Sequence, residues 1–205
     1  MISALMLALA LAAGPQNPVA GALAEFARVS TYQVTLRSWP GNEIIRYYYE
    51  KPGFVRMEFV RPHAGAVLVY DPDRKLAKLW PFGRTLPLSL TLKPDSPLLR
   101  SSHGHRVEAS DIGTLLGRAK SLQDHGQAEV LGDDQIGDRR AWRVEVAAVD
   151  DFTVDGVHRY RLWLDQDSLL PLKAQAFGPD NQLVEEVLMD DLIFNAPLPD
   201  QLFKF

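Results

Sequence analysis

The residues most suggestive of chemistry are two imidazoles separated by one glycine, His103-Gly104-His105, with Glu108 three positions further on. In an extended segment, residues two apart share a face, so the pair could offer two nitrogens to a metal ion beside a carboxylate. His63, His125 and His158 are scattered, and none is marked out by spacing as a third ligand. A cupin-type site would need a different His-to-Glu spacing and a second histidine block, and the chain has neither. The segment is therefore read as a polar loop that holds two histidines, with no metal and no cofactor. Asp133-Asp134, Asp150-Asp151 and Asp190-Asp191 are acidic pairs beside expected turns, read as solvated strand ends. G-x-S-x-G, G-x-G-x-x-G and P-loop patterns are missing, and no residue is nominated as catalytic. The chain is read as a non-enzyme.

Composition narrows the partners. The 205 residues contain 22 Lys and Arg against 26 Asp and Glu, a net charge of −4. Without an overall basic field, nucleic acid is not expected as a partner. Cysteine is absent, so there can be no disulfide, thiol nucleophile or lipidated cysteine. The core alone must stabilise the fold.

Ile2 to Ala13 forms an uninterrupted apolar run of twelve residues. A span of a bilayer needs about 20. The length suits the h-region of a signal peptide, with small residues at Ala10, Ala12 and Ala13 for cleavage, although no Lys or Arg precedes the run. Residues 1–14 are expected to be removed on export to the periplasm, leaving a soluble domain over 17–205.

The elements that must position any site come next. Asn17-Pro18 starts a short helix with Leu23 and Phe26 on its apolar side. From Thr31 the period drops to two, and strand-like runs follow at 43–50, 54–60, 65–71 and 75–82. Turns such as Lys51-Pro52-Gly53 separate them, too short for crossover helices, so the strands form an antiparallel meander. Residues 83–110 are Pro-rich, polar and without periodicity. A helix then carries Ile112, Leu115, Leu116, Ala119 and Leu122, and the meander resumes from 128 to 189. Nine or ten strands and two helices predict one mainly β (α+β) domain, whose meander could form a closed barrel, a sandwich, or a single, strongly curved antiparallel sheet with helices on its concave side.

Several strands are apolar on both faces, which requires cover on both. Helices packed inside a curved sheet would leave an apolar cavity. The alternation assigns Tyr47, Tyr49, Met57, Phe59, Val67, Val69, Leu162 and Leu164 to its lining. A shift of one residue would invert any of these assignments. Ile112, Leu115 and Leu116 are expected to close over the cavity as a lid.

The runs YYYEKPGFVRMEFV, AVLVYDPDRKLAKLWPF and YRLWLDQDSLLPLKAQAFGPDNQLVEEVLMDDLIFNAPLPDQLF, in this order after a short helix, resemble the LolA-like family of periplasmic lipoprotein-sorting carriers. RMEFVRPHAGAVLVYDP with SSHGHRVEASDIGTLL is closer to an uncharacterised branch of that superfamily. The resemblance implies an open, incomplete β-barrel lidded by helices, with an interior for acyl chains. It also implies a lid-control role for the basic residue before Pro at the end of the second strand, here Lys51. Lysine lacks the planar fork of arginine, so its hold on carbonyls must differ. The implied function is a monomeric carrier of lipoprotein or lipid acyl chains towards the outer membrane, working between inner-membrane donor and outer-membrane acceptor proteins. A second reading is an envelope sensor of the same fold that binds a lipidated partner. A metalloenzyme using the histidines is a third.

Overall fold

The computed structural model describes residues 15–101 and 104–205. The N-terminal apolar run and His103 lie outside them. Helix α1 (Pro18–Ala27) begins as expected: the Asn17 side chain accepts from the Ala20 amide at 3.1 Å, and Pro18 occupies a position where no helical amide bond is lost. Its Val19, Ala22 and Phe26 are buried.

Six strands follow: β1 (Thr31–Trp39), β2 (Glu43–Glu50), β3 (Phe54–Arg61), β4 (Val67–Asp71), β5 (Leu76–Trp80) and β6 (Leu90–Leu92). Helix α2 (Ile112–Asp124) precedes β7 (Gly126–Ile136), β8 (Arg139–Ala148), β9 (Arg159–Asp165), β10 (Pro171–Phe177) and β11 (Leu183–Phe194). All eleven belong to one antiparallel sheet in the order β6-β5-β4-β3-β2-β1-β11-β10-β9-β8-β7. The edge strands β6 and β7 are not paired with each other, so the barrel is open. The mainly β, open-barrel expectation holds, with one strand more than the sequence marked. Strand β6 was read as part of an irregular stretch because three residues, Leu-Thr-Leu, are too few to display a period.

Register aligns the inward side chains into rows. Val34 pairs with Tyr47, Tyr47 with Met57, Met57 with Leu68, and Leu68 with Leu79. Across the other half, Val144 pairs with Leu162, Leu162 with Ala174, and Ala174 with Val187. Residues two apart along each strand continue the same face.

Helix α2 packs over β7, β8 and β9. Asp111 caps it, accepting from the Thr114 amide at 3.1 Å and the Thr114 hydroxyl at 2.6 Å. Ile112, Leu116, Ala119 and Leu122 recur at helical spacing and are buried. Gly113 permits the close approach of α1: a Cβ there would stand 2.4 Å from the Phe26 ring. The helices thus fill the β7–β9 end of the barrel and leave the β1–β5 end to other cover.

The opposite face of β3–β5 is covered by the chain's last residues. Phe203 and Phe205 pack against Val67, Val69 and Trp80, and the Arg56 guanidinium donates to the Leu202 carbonyl at 3.0 Å.

Candidate functional site

Between the inward row of β1–β5 and the stretches 98–101 and 105–112 lies a cavity of about 750 Å³. Val34, Tyr47, Met57, Leu68 and Leu79 form one wall, with Leu36, Ile45 and Phe59 beside them. Ala174, Ala176, Val187 and Met189 form the wall opposite, where the two small alanines leave room. Leu98, Leu99, Val107, Ile112 and Leu115 make the roof. The lining also includes the polar residues Glu43, Arg100, His105, Arg106, Arg118 and Glu185.

Hydrogen bonds from the sheet hold the roof in place. The Ile112 amide donates to the Tyr32 hydroxyl at 3.2 Å. The Ser110 hydroxyl donates to the Val107 carbonyl at 2.8 Å, which leaves its oxygen to accept from the Tyr47 hydroxyl at 3.1 Å. Tyr32 stacks between Tyr47 and Tyr49, with ring centroids 5.8 and 5.0 Å away, and Phe26 of α1 lies 6.0 Å from Tyr49. Burial pushes the Tyr32 and Tyr47 phenols well above their ordinary pKa, and raises Tyr49 and Tyr160 to about 12. The tyrosines therefore remain neutral donors and acceptors at any ordinary pH.

His105 pairs with Glu185 of β11 at 2.7 Å, which ties the roof to the far wall. Glu108, the carboxylate nearest in sequence, pairs instead with Arg106. Among the described residues no group of three His, Asp or Glu side chains is placed to hold a metal ion. Of the acidic pairs, Asp134 accepts from the Trp163 indole at 2.7 Å and Asp190 pairs with Arg37, so these two do more than face water.

The residues assigned to the cavity from sequence divide into three sets. Tyr47, Met57 and Phe59 line it, as do Ile112 and Leu115 of the roof. Tyr49, Leu162, Leu164 and Leu116 lie on the inward face but sit in the packed core, Leu116 with no exposed surface. Val67 and Val69 are on the wrong face, against Trp80 and the C-terminal phenylalanines, and Leu68 takes the inward position. The run Val67-Leu68-Val69-Tyr70 is apolar throughout, so alternation could not choose its face. The lid also differs from expectation. Only Ile112, Leu115 and Arg118 of α2 reach the cavity, while the irregular stretch before it makes the greater part of the cover.

Lys51 clasps a helix end. Its ammonium donates to the Phe26 carbonyl at 3.2 Å and the Ala27 carbonyl at 2.7 Å, and lies 5.6 Å from the Phe26 ring centroid. A cation there satisfies the Ala27 carbonyl, adds a second donor to the Phe26 carbonyl that already accepts from the Val29 amide, and complements the C-terminus of α1.

Comparison with known proteins follows this geometry. A crystal structure of an uncharacterized conserved protein from Thermus thermophilus aligns with a TM-score of 0.54 at 11% identity, covering 92% of this chain and 91% of that one. The Mycobacterium tuberculosis lipoprotein LppX aligns with a TM-score of 0.55 at 10% identity, covering 89% of this chain and 95% of that one. The MucA/MucB complex of Pseudomonas aeruginosa gives 0.45 at 19% identity, covering 88% of this chain and 60% of that one. No curated protein matches the chain. The fold these structures share with the chain is the open, incomplete barrel that the sequence resemblance implies. Residues 91–204, more than half of the chain, match the family described as the MucB/RseB N-terminal domain. The chain belongs to that family.

Proposed function

We propose that this protein binds the acyl chains of a lipid or lipoprotein in the periplasm, with the cavity under the tyrosine-held roof as the binding site. The observation that carries the reading is the cavity itself: about 750 Å³, walled mainly by aliphatic and aromatic side chains, with a minority of polar groups in its lining. Pockets for small ligands span about 300–1,000 Å³. Each methylene transferred from water gains about 0.8 kcal/mol, so such a lining favours long alkyl chains over polar solutes. The polar groups of Arg100, Arg118 and the His105–Glu185 pair would stay with a headgroup. Export is supported by the apolar run Ile2–Ala13, and among the described residues no helix is long and apolar enough to cross a membrane.

Two roles use this site. A carrier would pass its cargo between a donor and an acceptor in the envelope, acting as a monomer. A sensing module would hold cargo and regulate a protein partner. Membership of the MucB/RseB N-terminal domain family supports the second role, and a solved MucB structure holds that protein in complex with MucA(peri). Neither role requires catalysis. The side chains facing the cavity supply apolar surface and paired polar groups, so we read the protein as a binder.

Mass spectrometry of organic-solvent extracts from periplasmically purified protein tests the reading. A bound amphiphile, together with displacement of a fluorescent fatty acid by lipopeptide, is the expected result. Extracts free of amphiphile and a probe that fails to bind would overturn it. Transfer of the probe to acceptor vesicles then separates a carrier from a module that retains its ligand.

A further inference from the structure

The antiparallel register places alternate turns at one end of the sheet. Ser38 pairs with Glu43, Ile44 with Arg61, Glu58 with Val67, and Val67 with Trp80. The turns after β1, β3 and β5 therefore share an end. Ser38, Gly41, Pro62, His63 and Pro81 from these turns line the cavity, so this end is its mouth. A Cβ at Gly83 would stand 3.0 Å from the Gly65 carbonyl, which brings the second and third turns together.

The same turns and the neighbouring margin of the roof carry six of the ten large apolar side chains exposed among the described residues. Trp39 is 52% exposed, Phe82 63%, Leu86 and Leu88 51% each, and Leu98 at the roof's margin 65%. Val60 is the sixth. At the opposite end, the turns after β2 and β4 read Lys51-Pro52-Gly53 and Pro72-Asp73-Arg74-Lys75, without one. Exposed apolar groups concentrated around a cavity mouth signal contact with another apolar phase.

Charge at this end helps to identify that phase. Arg61, Arg84 and Arg100 are exposed among the apolar residues, with His63 beside them, while the half-buried acids Glu43, Glu58, Glu185 and Glu186 and the exposed Asp180 share this end. Of these, the exposed ones are basic but for Asp180, whereas the whole chain carries −4. Arg84 lies 4.8 Å from the Trp80 ring centroid, at the base of the turn that bears Phe82. Aromatic rings ringed by arginine suit the headgroup region of a bilayer, where rings sit between tails and water and guanidinium groups meet phosphates. A second copy of this chain, docked face to face about a two-fold axis, would set these arginines against themselves.

We propose that the cavity mouth is a membrane-docking surface, which seats Trp39, Phe82, Leu86 and Leu88 in the headgroup layer of a bilayer containing anionic phospholipid. This deepens the acyl-chain reading and rests on it for its purpose. A chain leaving the bilayer through a seated mouth reaches the cavity without crossing water. Docking can nevertheless be measured without cargo.

The test is flotation of the mature protein with vesicles of phosphatidylethanolamine and phosphatidylglycerol, compared with phosphatidylcholine alone. The variant is W39S/F82S/L86S, three exposed positions outside the cavity lining. Expected are co-flotation with the anionic vesicles, at least tenfold weaker binding of the variant, and a blue shift of Trp39 emission that a W39F protein lacks. Fluorescent fatty-acid binding in detergent-free buffer should be unchanged in the variant, which keeps failure of docking distinct from failure of the cavity. Absence of flotation, or equal flotation of wild type and variant, would overturn the proposal. So would light scattering that shows a wild-type dimer dispersed by the triple substitution, since the rim would then face a second copy.

Discussion

The hydroxyl of Tyr47 is the smallest group on which the site depends. It donates to Ser110 in the roof, while Tyr32 accepts from the first amide of α2. A hydrogen bond of this kind contributes about 0.5–1.5 kcal/mol. Tyr47→Phe should lower stability by that amount and increase the rate at which a fluorescent fatty acid enters, as stopped-flow mixing would show; an unchanged entry rate would mean that the roof does not open at Ser110. Trp163 and Asp134 provide a second residue-scale test. The indole N–H donates to the Asp134 carboxylate and holds its pKa below the ordinary value. A carboxylate lowered by folding contributes stability above its unfolded pKa, and that stability disappears as pH falls through the folded one. Trp163→Phe removes this contribution, so the stability gap between the two proteins should narrow on acidification below the usual carboxylate range. Urea unfolding at pH 7 and at pH 3 would reveal it. At this scale the sequence was only partly legible. Tyr47, Met57 and Phe59 followed from alternation, but the His105–Glu185 pair joins positions eighty apart that no local pattern connects.

Among the elements, β4 and α2 show why facing was harder to read than existence. Both were found from apolar content, and both have apolar residues to spare. In β4 the uniform Val-Leu-Val-Tyr run gave two equivalent registers, and the C-terminal phenylalanines on the outer face made the outward valines as buried as the inward leucine. Leu68→Trp should therefore reduce probe affinity by filling the cavity, whereas Val69→Ala should lower stability and leave probe affinity alone; equal effects on affinity would contradict the assigned faces. In α2, Leu116 is core and Leu115 faces the cavity. Leu116→Ala should cost about 2–5 kcal/mol, as deletions in packed cores do. Leu115→Ala should cost less and change the affinity for the probe, as thermal unfolding and titration of the two variants would show. The roof has no period to read because it has almost no regular structure: among the described residues between β6 and α2 it holds two short 3-10 turns, Pro97–Leu99 and Val107–Ala109.

For the whole molecule, the two helices and the sheet make an asymmetric barrel, filled at the β7–β9 end and hollow at the β1–β5 end. That asymmetry follows from side-chain size and helix placement. α1 and α2 cross closely at Gly113 over one half, and the other half receives, among the described residues, the loose cover of residues 98–101 and 105–112. Periodicity and turn spacing revealed the meander, and the family resemblance implied its open form, but neither told which half would stay empty, because that depends on where α2 lands. The central claim is that the hollow half holds an acyl chain. A photoreactive fatty acid, cross-linked in the purified protein and mapped by peptide mass spectrometry, tests it most directly. Adducts on the inward residues Met57, Leu68 and Leu79 are predicted, with none on Val67 or Val69. Adducts confined to the exposed rim at Trp39 and Phe82, or spread evenly over both faces of β4, would contradict it.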